Sequence, residues 1–208
     1  AGITGWRRSV DGVISGTGRW SAWKGRGTLD VGDIRLVELG LAVTEGQYAL
    51  DGTLTPTSFL KGKLQRLTAP AIRVEGAATL VDRQLAGSLA IKTPEIEFVG
   101  TGSLDLAASA YRGVIVDARL VKPPALFPNM TGNNIRLHAT FDGPFSTADF
   151  SYALTADHVA FDHTGFDLVR AAGRGRLSEP PIHLPLRLSA RRVTGVGDVA
   201  GGILGNLT

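Results

Sequence analysis

Several features that would assign this chain to a familiar class are missing from its 208 residues. Cysteine is absent and methionine occurs once, which excludes disulfide frameworks and metal sites built from thiolates. No stretch approaches the ~18 consecutive apolar residues of a membrane-spanning helix. Lysine and arginine are spread along the sequence, at a net charge of +3, and form no block typical of a nucleic-acid-binding arm. We therefore expect no nucleic-acid partner.

Familiar signals are also missing from the two ends of the sequence. The chain begins at Ala1 without a methionine and without the charged and apolar regions of a signal peptide. It stops at Thr208 without a tail. We expect residues 1–208 to form one β-sheet segment of a larger protein. A seam is expected near residues 122–133, where prolines interrupt the strand pattern.

What the sequence does contain is a repeated alternation of apolar and polar residues, the period-two pattern of half-buried β-strands. Ile72, Val74 and Leu80 share one face of a predicted strand, and Arg73 and Glu75 share the other. Strand starts recur about every 11 to 14 residues, which suits antiparallel hairpins and leaves no room for crossover helices. The pattern predicts an all-β fold of about a dozen strands. Similar runs occupy residues 48–54, 60–64, 85–91, 96–106, 114–120, 135–141 and 182–188.

Glycine is abundant, at 27 residues, and recurs in the middle of the apolar faces. A glycine inside a strand usually marks a bend, a bulge or the close approach of another group. Repeated in successive strands, it would let a wide sheet fold along one line. Such a sheet must curl, split or have its apolar face covered, so a curved groove, a closed barrel and a sandwich core all fit. The glycines in question are Gly52, Gly62, Gly76, Gly87, Gly100 and Gly102.

Short motifs of the form apolar-x-Gly-x-apolar support one of these alternatives. They occur at residues 10–16, 50–54 and 85–90, and a glycine-rich stretch follows at residues 191–204. The motifs resemble the degenerate strands of the bacterial AsmA-like envelope proteins, the group that includes TamB and YdbH. The closing stretch is most similar to the YdbH branch. The resemblance covers most of the chain, although each motif is short.

The resemblance implies a fold and a function. Members of this family are anchored in the inner membrane of Gram-negative bacteria and cross the periplasm as a long antiparallel sheet bent into a U-shaped groove or flattened barrel. The groove is expected to conduct phospholipids between the inner and outer membranes, with the acyl chains as its partners and no cofactor. The residues expected to line it are Leu50, Leu54, Ile72, Val74, Leu85, Leu89, Ile96, Phe98, Leu104, Val114, Val116, Ile135, Leu137, Phe141, Leu184 and Leu186.

The sequence offers no convincing catalytic or metal centre. An Asp-His pair repeats after five residues at Asp157-His158 and Asp162-His163, and on a strand this spacing puts the two histidines on opposite faces. We therefore expect a strand-turn-strand duplication there instead of a metal site. Glu95 and Glu97 share a face as a glycosidase pair would, but the polar context favours a solvated sheet face. We expect no enzymatic activity.

Other interpretations stay open at this point. A structural or adhesive β-sandwich or β-solenoid with a closed core would show the same alternation. A glycan-processing β-helix enzyme would need clustered carboxylates, which the sequence lacks. Trp6, Trp20 and Trp23 lie near the start among basic residues and are interpreted as plugs at the end of a β core, with contact to lipid head groups as the alternative. Strand edges exposed at the ends of the segment favour self-association.

Overall fold

The computed structural model describes residues 9–19, 21–177 and 186–195, which form one antiparallel sheet. Fourteen strands belong to it in these residues. They are β1 (Val10–Arg19), β2 (Ala22–Val31), β3 (Ile34–Thr44), β4 (Gln47–Leu54), β5 (Ile72–Val81), β6 (Gln84–Lys92), β7 (Ile96–Asp105), β8 (Ala110–Leu120), β9 (Met130–Asn133), β10 (Ile135–Pro144), β11 (Asp149–Phe161), β12 (Thr164–Arg176), β13 (Arg187–Ser189) and β14 (Arg192–Thr194).

The strands pair in nearly the order in which they occur in the chain. Each strand from β1 to β7 pairs with the next one, and the sheet continues from β8 through β10, β11 and β12. β9 pairs with part of β11, while β13 and β14 both pair with β12. Among the described residues β1 pairs only with β2, so the sheet is not closed into a barrel. The prediction of an all-β antiparallel sheet of about a dozen strands is confirmed.

The register aligns apolar residues into rows that cross the sheet. Leu50 of β4 lies beside Gly76, and the row continues through Leu89, Gly100 and Val116 on β6, β7 and β8. Rows two residues away are also apolar, because alternate side chains of a strand point to the same face. We call this face the inner face. In the five described strands β4–β8 it carries no charged side chain.

The opposite face, called the outer face, carries the charged residues. Across neighbouring strands, an ion pair joins Glu97 to Arg119 at 3.9 Å, and His138 Nδ1 lies within hydrogen-bond distance of Asp117 Oδ1, at 2.8 Å. These side chains are about half exposed, and each such pair stabilises the fold by only about 0–1 kcal/mol. Their positions identify the polar side of the sheet.

A closed hydrophobic core lies at one corner of the sheet. Met130, Ile135, Ala156, Val159 and Val169 form a buried cluster. Side chains from β8, β11, β12 and the segment after β8 pack around it, namely Leu120, Leu126, Phe161 and Phe166. In contrast, the only buried apolar residues of the described strands β1–β7 are Val31 and Val74. Most of the sheet is therefore a single layer.

The predicted strand at residues 60–64 is wrong. This segment follows a 3₁₀ turn at Pro56–Ser58 and leads into a short helix, α1, over Gly62–Thr68. The physical reason is that β4 and β5 pair directly with each other, Leu54 beside Ile72, which leaves no partner for a strand between them. Lys, Leu, Gln and Arg in this stretch are good helix formers. Gly62 accordingly lies outside the sheet.

The other irregular segments also have defined positions. The proline-rich segment after β8 contains a 3₁₀ turn at Pro123–Ala125 and continues into β9. Of the predicted strand at residues 182–188, residues 182–185 lie outside the described part of the chain, and β13 covers only its end. No helix in the described residues is long and apolar enough to cross a membrane.

Candidate functional site

The candidate site is a concavity on the inner face. Side chains from five consecutive strands, β4 to β8, line one cavity of about 450 Å³. Because strands lie about 4.8 Å apart, residues four strands apart can share one cavity only if the inner face curves around it. Ligand pockets in proteins typically span about 300–1,000 Å³. The predicted groove residues that line this cavity are Leu50, Leu85, Leu89, Phe98, Leu104, Val114 and Val116.

The remaining predicted residues lie around this cavity or away from it. Leu54, Ile72, Val74, Ile96, Leu137 and Phe141 lie on the same face by register. Ile135 belongs to the closed corner, where it is buried. Leu186 is 61% exposed and precedes β13, while Leu184 lies outside the described residues.

Glycines form the floor of the cavity between the large side chains. A Cβ atom added at Gly76 would lie 3.4 Å from Leu89 Cδ1 and 3.8 Å from Leu50 Cβ, so the leucines on the adjacent strands already reach across the glycine. Gly102 has a φ of +140° at a register shift between β7 and β8, and a Cβ there would lie 2.6 Å from the Cα of Val114. The first glycine broadens the floor, and the second permits a bulge.

Aromatic residues occupy the inner face near one set of strand ends. The ring of Tyr111 lies 4.7 Å from that of Phe145 and 6.0 Å from that of Phe141. Phe141 then lies 6.2 Å from Phe150, which lies 6.4 Å from Tyr152. This cluster was not predicted from the sequence, although Phe141 and Phe150 lie on either side of the turn-forming residues Asp142-Gly143-Pro144 and their pairing could have been inferred.

Trp23 is a further aromatic residue, in the hairpin of β1 and β2. Its indole lies against Gly16 and Gly25, where a Cβ atom on either glycine would overlap the ring. The tryptophans are predicted to plug the end of a β core; by register Trp23 lies on the inner face of the β1–β2 hairpin, beside these two glycines. Trp6 and Trp20 lie outside the described residues.

The opposite set of strand ends is bordered by two connecting segments that we call the cap, residues 55–71 and 121–134. Arg66 Nε of α1 donates a hydrogen bond to the Ala125 carbonyl oxygen at 3.0 Å. The Lys63 ammonium lies 3.9 Å from the centre of the Phe127 ring. Leu126 packs on the cluster that contains Ile135, an inner-face residue by register. The cap therefore folds over the rim of the inner face.

The repeated Asp-His motif has a structural explanation. The duplication spans the end of β11 and the turn into β12, as predicted. His158 Nδ1 lies 2.7 Å from Asp167 Oδ1. Asn134 donates to Asp157 at 2.5 Å and Asn129 to Asp162 at 2.8 Å, which ties the cap to β11 and the following turn. Within the described residues no cluster of three or more potential metal ligands is present.

The two glutamates that share a predicted face have different surroundings. Glu97 is 46% exposed beside Arg119, as expected for a solvated face. The side chain of Glu95 is only 15% exposed and pairs with Lys122 at 3.0 Å. Glu95 is withdrawn from water because it lies in the turn before β7, where its carbonyl oxygen accepts the Val121 and Lys122 amides. Glu95 therefore joins the start of the second cap segment to the turn before β7.

Ionisable groups with a shifted pKa lie at turns and strand ends, away from the cavity. The Ala108 amide and Arg112 hold the pKa of Asp105 below its usual value. Arg176 lowers the pKa of Asp149 in the same way. In both pairs the shift comes from hydrogen bonds that stabilise the ionised carboxylate. These contacts stabilise hairpins, and what the cavity itself offers is apolar surface.

No family model, curated protein or solved structure matches this chain.

Proposed function

We propose that this chain is a section of a periplasm-spanning hydrophobic β-groove that conducts phospholipids between the inner and outer membranes. The observation that carries the proposal is the inner face of β4–β8, which is concave, continuous and free of charged side chains. The groove motifs at residues 50–54 and 85–90 lie within this face.

The physical properties of the inner face suit an acyl chain. Each methylene group moved from water onto apolar surface contributes about 0.8 kcal/mol. A head group that stays at the rim keeps its hydration and avoids the cost of burying a charge. A lipid could move along such a face without a chemical step, so the proposal assigns the chain neither a cofactor nor a catalytic residue.

The exposure of the inner face supports a groove over a sandwich. The described strands form one sheet, with no second sheet packed on it. Leu89, in the middle of the cavity, is 38% exposed. A contiguous apolar surface of this kind indicates a binding surface more often than a core. The alternative, a structural or adhesive β-sandwich or β-solenoid module, is favoured only by the closed corner around Val159.

The proposal includes a location and partners. The parent protein would be anchored in the inner membrane of a Gram-negative bacterium, and this segment would lie in the periplasm. Both assignments rest on the resemblance of the glycine-centred strand motifs to AsmA-like proteins. Phospholipid acyl chains are the proposed ligand. Self-association is a further expectation, through a strand edge such as that of β1, which has no second partner among the described residues, since an exposed strand edge can pair with another chain.

Native mass spectrometry of the gently extracted chain tests the proposal. We expect co-purified phospholipid in the wild type and its loss in Leu89→Asp, because a carboxylate in the cavity opposes apolar contact. Ala86→Asp is the matched control, since it lies on the same strand, on the outer face, opposite the uncharged Thr79 and Ser103. The control should retain its lipid, and circular dichroism should be unchanged in both variants.

Two results would contradict the proposal. A cooperative, lipid-free wild-type monomer would mean that the inner face is covered in another way, which favours the structural module. Unfolding of Leu89→Asp but not of Ala86→Asp would mean that Leu89 belongs to a packed core.

A further inference from the structure

The cap differs from the rest of the chain in its charge. The whole sequence has 22 basic and 19 acidic residues, yet the two cap segments contain four cations and no aspartate or glutamate. These cations are Lys61, Lys63, Arg66 and Lys122. The acid-free stretches extend beyond the cap, over residues 52–74 and 118–141. Positive charge is therefore concentrated at one rim of the inner face.

Three of the four cations have no carboxylate partner among the residues that the structure describes. Lys122 pairs with Glu95, and Arg66 uses its Nε for the Ala125 carbonyl oxygen. Lys61, Lys63 and Arg66 are exposed and form no ion pair within the described ranges. Of the acidic residues that contact the cap, Glu95 pairs with Lys122, and Asp157 and Asp162 accept hydrogen bonds from Asn134 and Asn129.

Apolar side chains accompany these cations on the cap. Leu64 of α1 is 60% exposed and Phe127 is 37% exposed, with the Lys63 ammonium over the Phe127 ring. A second copy of this cap would be repelled by the like charge. An amphiphile with a net negative head group fits instead, because its charge can meet the lysines while its chains continue onto the inner face.

From this arrangement we propose that the cap is a head-group subsite, and that it makes the groove select phospholipids with net negative charge over zwitterionic ones. The ligand chemistry is a phosphate diester without a compensating amine, held by Lys61, Lys63 and Arg66. This inference rests on the proposed function, since it names the substrate class of the same groove. It adds a specificity that the uncharged inner face cannot supply.

The test is a competition between two lipids. The intact chain is equilibrated with vesicles containing equal amounts of phosphatidylglycerol and phosphatidylethanolamine, and the bound lipids are identified by native mass spectrometry. We expect enrichment of phosphatidylglycerol that weakens as ionic strength rises, because exposed charges are screened by salt. In Lys61→Gln/Lys63→Gln the enrichment should fall on the order of 25-fold, about five-fold for each lysine, with total bound lipid unchanged.

The matched control removes the same charge elsewhere. Arg19→Gln/Lys24→Gln lies on the β1–β2 hairpin, towards the set of strand ends opposite the cap, and should keep the wild-type preference. A preference that is absent from the wild type, unchanged in the cap variant or equally lost in the control would overturn the subsite. Loss of the preference when inorganic phosphate is added at constant ionic strength would also overturn the subsite, since the cap would then bind free phosphate.

The outcomes separate this inference from the function on which it rests. Bound lipid without a charge preference would refute the subsite and leave the groove in place. The absence of both lipids from the wild type would refute the two together. Leu89→Asp should lose both lipids equally, whereas the cap variant should change only their ratio.

Discussion

The sheet has two regions with the same strand pattern and different coverage. In β4–β8 the inner face is an exposed, curved surface, with glycines between leucines. Where β10, β11 and β12 meet the cap, the same kind of face is closed over by residues 121–134, and Val159 is only 8% exposed. The comparison shows that alternation of apolar residues specifies a face. A connecting segment decides whether that face becomes a core.

The largest expected difference between the regions concerns a buried charge. Val159→Asp places a carboxylate in the closed corner and should destabilise the fold by about 3–5 kcal/mol or prevent folding. Leu89→Asp, on the exposed face, should cost less than about 1 kcal/mol, because its carboxylate can remain hydrated. Urea unfolding measured by circular dichroism compares them. Equal destabilisation would show that the two regions are packed alike.

A smaller effect is expected from glycines within the exposed region. Gly102→Ala should destabilise the fold by about 1–3 kcal/mol, because of the positive φ and the 2.6 Å approach to the Val114 backbone. Gly76→Ala should cost under about 1 kcal/mol, since its new methyl group would lie 3.4 Å from Leu89 Cδ1 and the Ser88 carbonyl oxygen and 3.8 Å from Leu50 Cβ, which are ordinary contact distances. Thermal unfolding of both variants measures this, and a reversed order would contradict the bulge geometry.

The smallest effect concerns acid stability at one ion pair in each region. The pKa values of Asp105 and Asp149 are lowered in the folded protein. Each carboxylate therefore stabilises the fold above its unfolded pKa of about 3.9, and this contribution is lost as the pH falls through the lower folded value. Asp105→Asn and Asp149→Asn should each flatten the decline in stability below about pH 4. Unfolding at a series of pH values tests this, and steeper declines would contradict the sign.

The fold was largely predictable from alternation alone. Ile72, Val74 and Leu80 lie on one strand face as expected, because a strand exposed to water on one side needs an apolar and a polar face. The cap was not predictable. Leu60, Gly62 and Leu64 continue the period-two pattern, yet the direct pairing of β4 with β5 excludes them from the sheet. The alternation within residues 60–64 cannot show that β4 and β5 pair with each other and leave this segment without a strand partner.

The candidate site was predictable in part. Leu50, Leu89, Phe98 and Val116 line one cavity because pairing in register aligns their rows, and each row follows from the alternation. The placement of Ile135 in a closed core depends on a segment that folds back over it, which the sequence of the strand does not encode. The charge of the cap was visible in the sequence as acid-free stretches, but only the contacts between α1 and residues 121–134 bring the two stretches together.

Pairing between chain neighbours has a consequence for how such a protein can change in size. Since β1 to β7 pair, within the described residues, only with the strands before and after them in the chain, an inserted or deleted hairpin disturbs a single junction. Each added hairpin would widen the sheet by about 10 Å and supply its own share of inner-face surface. The width of the sheet can therefore change in steps of one hairpin, by duplication of a short sequence unit, and no central core has to be repacked.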